Sequence, residues 1–318
     1  MTKTKQYLLK GMRKLFHEQR MLSKPDCDHD PESASRIIFN ALVSPEPQMI
    51  ARFGGFELAT VVNYLGVKKN PHDIIAYARG REPQWWWDLS LINAMRSNAG
   101  FFPAELPQIE RFCELMLGDI PSVNILGSWL PEERFFHREL QHTYKVNLEL
   151  LNPFFSENPW TRALEGKKVL VVHPFANTIK EQFAKRDLLF DNCLLPDFRL
   201  TTIKAIQSIA GEKTPFKDWF EALGFMQTEI DKVDYDIALI GCGAYGFPLA
   251  AHVKRNGKKA VHLGGSLQLL FGIRGKRWEN ENYNPHYNYA KLINEYWVKP
   301  GENEKPRNAD SVEGACYW

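Results

Sequence analysis

The residues best suited to chemistry form a glycine-rich run, Gly241-Cys242-Gly243-Ala244-Tyr245-Gly246, set between an apolar stretch ending at Ile240 and the helix-patterned Phe247–Val253. Glycine lets the backbone approach a ligand closely. The amides that open a helix add hydrogen-bond donors and a dipole that favours an anion such as a pyrophosphate. Gly241, Gly243 and Gly246 make a literal GxGxxG, although a tight strand-to-helix turn that touches no ligand needs the same glycines. A nicotinamide dinucleotide site would add a carboxylate at the end of the next strand to grip the ribose. That strand instead ends in His262-Leu263-Gly264-Gly265-Ser266. Imidazole, hydroxyl and backbone amides suit phosphate or sugar hydroxyls, while a packed strand histidine accounts for His262 equally well.

A second corner is Arg52-Phe53-Gly54-Gly55-Phe56-Glu57. Arg52 suits bidentate contact with phosphate, and Glu57 suits a hard divalent ion that would bridge diphosphate oxygens. The plainer alternative puts Glu57 in the first turn of a helix, where the dipole favours it, with Arg52 as its ion-pair partner. After a third apolar run, Asn177, Thr178 and Lys180 stand where a helix should start, Asn177 or Thr178 as N-cap and Lys180 within reach of a phosphate. Trp85, Trp86 and Trp87 offer flat faces to a sugar ring, though such residues more often belong to a core. Asp73, Glu82 and Asp88 are the nearby candidates for a catalytic base, and no spacing selects among them. Arg274, Lys276 and Arg277 gather three cations that would neutralise a departing diphosphate, or simply face solvent.

These residues need a scaffold. Met49–Phe53, Lys168–Val172, Asp236–Ile240 and Ala260–Leu263 are short apolar runs, each followed by small or polar residues, and Val123–Trp129 adds a β-prone run that stops at Gly127-Ser128. Helical patterns separate them. Strands alternating with helices predict an α/β fold, with a Rossmann-like, mostly parallel sheet covered on both faces and ligands beyond the carboxyl ends of its strands. The aromatic- and proline-rich stretch 71–159 reads mainly as a helical insertion. Residues 1–31 read as an N-terminal helix and turn-rich linker, 32–298 as one α/β domain, and 299–318 as a mobile tail too polar to hold a conformation.

The totals are compatible with one large core: 318 residues, 44% hydrophobic and 25% charged. A net charge of +2 with interspersed signs argues against nucleic acid as a main partner. Cys27, Cys113, Cys193, Cys242 and Cys316 have no metal-ligand spacing and are odd in number, which reads as reduced thiols in a cytoplasmic protein. No apolar run is long enough to cross a bilayer. Between Lys3 and Arg20, basic residues interleave with Tyr7, Leu8, Met12, Leu15 and Phe16. This fits a basic amphipathic helix at the inner face of a membrane, but we prefer a helix docked on the chain's own core.

In order along the chain, IARFGGFE, VVHPFANTIKEQF and DYDIALIGCGAYGFPLAAHVKRNGKKAVHLGGSLQLLFGI resemble the bacterial family of glycosyltransferases with the GT-D fold. The resemblance spans roughly Ile50 to Trp278. It implies a Rossmann-like enzyme that takes a nucleotide-sugar donor, typically a UDP-sugar, with manganese or magnesium, and passes the sugar to a glycan or glycoprotein acceptor in surface polysaccharide or glycoprotein synthesis. The family's first motif resembles Arg-Phe-Gly-Asp-Gly-Glu, whose Asp and Glu serve metal and nucleotide. Arg52, Phe53, Gly54 and Glu57 match it, but Gly55 stands in the Asp position and Phe56 replaces the following Gly. One carboxylate is therefore missing, which weakens metal binding and leaves a catalytically silent nucleotide-sugar-binding module as the alternative. A nicotinamide oxidoreductase is a third reading, opposed by the absent ribose carboxylate.

Overall fold

The computed structural model describes residues 2–190, 192, 194–306 and 316–318. Seven strands, β1 (Gln48–Arg52), β2 (Ile125–Ser128), β3 (Tyr144–Asn147), β4 (Lys168–His173), β5 (Arg199–Lys204), β6 (Ile237–Ile240) and β7 (Lys259–His262), form one sheet in the order β3-β2-β1-β7-β6-β4-β5. Every neighbouring pair is parallel. Parallel strands need crossovers, and α-helices supply four of the six: α3 (Gly55–Lys68), α4 (Ile74–Ala78), α5 (Leu89–Ser97) and α6 (Leu106–Asp119) between β1 and β2, α7 (Ala176–Phe183) between β4 and β5, α8 (Trp219–Asp231) between β5 and β6, and α9 (Gly246–Arg255) between β6 and β7, while α1 (Lys3–Phe16) and α2 (Pro31–Val43) precede β1 and α10 (Lys276–Glu279) follows β7.

Alternation along each strand splits the core in two. Met49, Ala51, Leu170, Val172, Ala238 and Ile240 face one side, where α3, α6, α8 and α9 pack. Ile50, Val169, Val171, Ile237, Leu239 and Val261 face the other, against α2, α7 and the 3₁₀ segment Gly264–Phe271. Burial on both faces is why the central strands read as unbroken apolar runs. The predicted Rossmann-like fold with helices on both faces is thus present, and the sheet is entirely parallel.

Outside the sheet, α1 rests on α4 through Leu9, which joins Tyr77 and Trp86 in a small separate cluster. Trp85 stacks on His72 with centroids 4.9 Å apart, and Trp87 leans on Tyr64. The tryptophan triplet is therefore packing and does not border the main cavity described below.

The polar segment 299–318, expected as a mobile tail, has anchor points on the domain. Residues 307–315 lie outside the described residues, but Pro300, Glu304, Pro306 and Cys316 are buried. Glu304 is 3% exposed, and its carboxylate accepts from the amides of Asn177 (2.8 Å) and Thr178 (3.3 Å) and from the Thr178 hydroxyl (2.5 Å). A carboxylate satisfies the orphan donors at the start of α7 and its dipole together, which offsets the cost of fixing the segment.

Candidate functional site

The connections that leave the carboxyl ends of adjacent strands diverge. From β1 and β6 the chain passes to α3 and α9 on one face, whereas from β4 and β7 it passes to α7 and to Gly264–Phe271 on the other. In the order β1-β7-β6-β4 this produces three consecutive seams, and a crevice opens where strand exits part. A cavity of about 710 Å³ fills it, bordered by Arg52, Gly54, His173, Gly241, His262 and Gly264 among others. The glycine corners of β1, β6 and β7 converge there.

Close packing explains why these corners are glycine. A Cβ on Gly241 would stand 2.5 Å from the Gly264 carbonyl oxygen and 2.8 Å from the His173 ring. On Gly246 it would stand 2.2 Å from His262 Cε1, so the third glycine of the GxGxxG lets α9 approach β7. Gly264 has φ +66° and turns the chain directly beside the Arg52 side chain.

Arg52 is the central cation. Its guanidinium lies 5.1 Å from the centre of the Trp129 ring, and its Nε is buried with no hydrogen-bond partner among the described residues. Trp129 is itself held: its indole donates to the Phe53 carbonyl at 3.1 Å, and its amide donates to the buried Glu133 carboxylate at 2.8 Å. Glu133 also accepts from the Leu130 amide (2.9 Å) and the Ser128 hydroxyl, so this carboxylate is spent on aiming the loop after β2. Glu57 occupies the first turn of α3 and folds over Gly54, whose missing Cβ would meet its carboxylate. Gly55 has room for a side chain, the nearest Trp129 atom lying 3.4 Å from a Cβ placed there.

Two buried histidines complete the floor. The Phe175 amide donates to His173 Nδ1 at 3.0 Å, which places that ring's proton on Nε2. His262 Nδ1 lies 3.2 Å from the Ile240 carbonyl, which can only accept, so its proton sits on Nδ1 and Nε2 keeps a lone pair. Burial lowers the pKa of both to about 3, aided for His262 by the charge of Arg52. Both are neutral at physiological pH, and one offers a donor where the other offers an acceptor.

Of the residues singled out in the sequence, Arg52, Gly54, Gly55, Glu57, Gly241, Gly243, Ala244, Tyr245, His262, Gly264 and Gly265 border the cavity. The Tyr245 ring stacks on Trp219 at 4.9 Å and its hydroxyl lies 3.1 Å from Ser208, so it is wall rather than acid or base. Four placements need correction. Asn177 and Thr178 do not cap α7 with their side chains, and Glu304 takes their amides instead. Lys180 is exposed one turn further on, away from the cavity. The Ser266 hydroxyl donates to the Leu263 carbonyl at 3.0 Å and turns away. Asp88 caps α5 by accepting from the Ser90 amide (3.0 Å) and hydroxyl (2.6 Å) and pairs with Lys10, bordering a smaller cavity beside α1.

The structure also recruits residues that spacing did not assign. Trp129, Glu149, His173, Tyr283, Tyr317 and Trp318 border the cavity, and of the three clustered cations only Arg277 does. Arg277 lies over the Tyr317 ring at 4.9 Å. Trp129 and His173 sit at the carboxyl ends of strands and were reachable by that rule. The tail aromatics were not, because their apolar character is isolated within a polar segment.

A divalent ion fits this lining poorly. The described residues hold no group of three His, Cys, Asp or Glu able to ligate a metal, and the first-strand motif contributes Glu57 alone. An ion here would rest on ligand oxygens more than on the protein. Among the described residues, no helix is long and apolar enough to cross a membrane. In comparisons with known proteins, no family model, no curated protein and no solved structure matches this chain.

Proposed function

We propose that the cavity binds a nucleoside diphosphate-sugar and that the protein is a glycosyltransferase acting on a glycan or glycoprotein acceptor. One observation carries this reading: glycine corners from three strand ends, Gly54, Gly241 and Gly264, border one cavity with Arg52, whose buried Nε no described residue satisfies and whose side chain lies against Gly264. A buried, unpaired charged donor is costly unless a ligand completes it, and a diphosphate does so bidentately. Arg277 adds a second cation, and the aromatic rings of Trp129, Tyr283 and Trp318 suit a base or a sugar face. In the transfer, the acceptor oxygen bonds to the anomeric carbon, the anomeric carbon–oxygen bond to the diphosphate breaks, and the acceptor proton passes to a carboxylate. Glu57 borders the cavity and takes that role, while Asp88 does not border it. Arg52 and Arg277 hold the charge of the departing diphosphate.

Gly55 favours a second reading, a nucleotide-sugar-binding module without turnover, because it removes a carboxylate from the corner nearest Glu57. A thermal-shift screen of UDP, GDP, their sugars and NADH, with and without manganese, tests both. Stabilisation by nucleoside diphosphates that is lost in Arg52→Ala supports the site. Stabilisation by NADH alone overturns it. Gly55→Asp then separates the two readings: manganese-dependent donor hydrolysis or transfer in the variant marks a weakened enzyme, whereas tight binding without turnover in either form marks the module.

A further inference from the structure

The outer face of α1 is unusual for a helix packed on its own protein. Leu9 alone is buried, with Met12 half-buried beside it, while Tyr7 (75% exposed), Leu8 (64%), Leu15 (79%) and Phe16 (60%) face solvent. Leu8 and Leu15 are seven residues apart, with Thr4 and Gly11 on the same strip, so they make one apolar ridge. Lys3 and Lys10 are also seven apart, and Lys14 follows one turn later, forming a parallel cationic ridge. The helix holds five Lys and Arg residues and no Asp or Glu. Arg13 points inward, to the Glu82 carbonyl at 3.1 Å and the Tyr77 ring, and Lys10 lies 3.7 Å from Asp88. Lys3, Lys5 and Lys14 are exposed and form no ion pair with a described residue. Adjacent α4 adds exposed Ile74 and Ile75.

We propose that this face of α1 docks in the plane of an anionic lipid surface, Tyr7, Leu8 and Leu15 entering the headgroup boundary while Lys3 and Lys14 contact lipid phosphates. The charge pattern selects this occupant. A second copy of the chain would set one lysine ridge against another or against a neutral strip, whereas an anionic leaflet meets cationic and apolar ridges together. The smaller cavity beside α1, bordered by Arg13 and His17, shares Ala59 and Leu91 with the main one, so a docked α1 would hold the strand-end crevice near the surface. This inference does not depend on the reaction assigned to that crevice.

Co-sedimentation of the full chain with vesicles tests it. Binding is expected to phosphatidylcholine mixed with phosphatidylglycerol, to fall with added salt, and to be far weaker on phosphatidylcholine alone. Each lysine near an anionic leaflet strengthens association roughly fivefold, so changing Lys3 and Lys14 to Gln should weaken it roughly 25-fold. Leu8→Gln with Leu15→Gln should weaken it at least about tenfold through lost apolar insertion. Thermal melts of both variants should match the parent, since these side chains are exposed. Absent or equal binding on the two vesicle types overturns the proposal. So does a dimer in sedimentation velocity that the leucine variant converts to monomer, because that assigns the face to a second copy.

Discussion

Substituting the glycines of the convergent corners one at a time separates close approach from backbone conformation and from mere proximity to the site. At Gly241 a methyl group would sit 2.5 Å from a backbone oxygen, roughly 0.8 Å inside ordinary contact, and 2.8 Å from a buried imidazole. Neither neighbour is the free end of a flexible chain, so Gly241→Ala must push the loops after β6 and β7 apart. Overpacking of this kind costs about 3 kcal/mol, or a fall of roughly 6 °C in Tm for a chain of this size. At Gly243 the nearest atom outside the turn is 3.7 Å away, but φ is +57°, so Gly243→Ala should cost about 1 kcal/mol through conformation alone. Gly55 has ordinary φ at the first position of α3 and its nearest neighbour at 3.4 Å, so Gly55→Ala should fall within about 0.5 kcal/mol of the parent. Calorimetry on the three variants gives the ranking directly. If Gly241→Ala melts with Gly55→Ala, the loops are not in contact through that glycine, and the convergence of corners loses its physical basis.

Two further substitutions probe the groups around the site. Glu304→Ala removes three charge-assisted bonds from the start of α7 and should cost about 2–4 kcal/mol in urea unfolding, with Glu304→Gln intermediate; an effect below about 0.5 kcal/mol would show that the segment around Glu304 does not hold that helix. His173 and His262 are held near pKa 3 against an ordinary 6.5, so below pH 6.5 the unfolded chain binds protons that the folded chain refuses. Stability contributed by each is therefore full above pH 6.5 and falls as pH drops toward 3, by about 2 kcal/mol between pH 7.5 and pH 5. Replacing both with Gln should flatten that part of the stability–pH curve by about 4 kcal/mol, and an unchanged slope would refute the buried neutral assignment.

Legibility in the sequence follows burial. The central strands β1, β7, β6 and β4 are covered on both faces, so their apolar runs stand out, and the turn after each is where sequence reasoning found chemistry. The two edge strands escaped. In β3, Tyr-Lys-Val-Asn, and β5, Arg-Leu-Thr-Thr-Ile-Lys, most residues are only half-buried or exposed, and short polar edges carry neither a run nor a clean alternation. The first-strand motif was legible as Arg and Glu flanking glycine, yet spacing could not choose between pairing Arg52 with Glu57 and leaving it for a ligand. The structure adds a contact over long sequence separation that spacing does not show: Trp129, placed by Glu133, lies against the guanidinium. The same cause hid the capping role of Glu304, which lies 126 residues from Thr178 and belongs to a stretch whose composition alone argues against fixed structure.

Charge around the crevice bears on what enters it. The floor histidines are neutral, Cys242 is buried with its thiol pKa pushed up by desolvation, and the Glu133 carboxylate is occupied by the loop it positions. Arg52, Arg277, Glu57 and Glu149 are the Arg and Glu side chains that border the cavity among the described residues. Glu149 is engaged with the Tyr289 hydroxyl, which burial and that carboxylate together keep protonated. A nicotinamide dinucleotide would need an ionised acceptor for ribose at β7, where His262 stands uncharged.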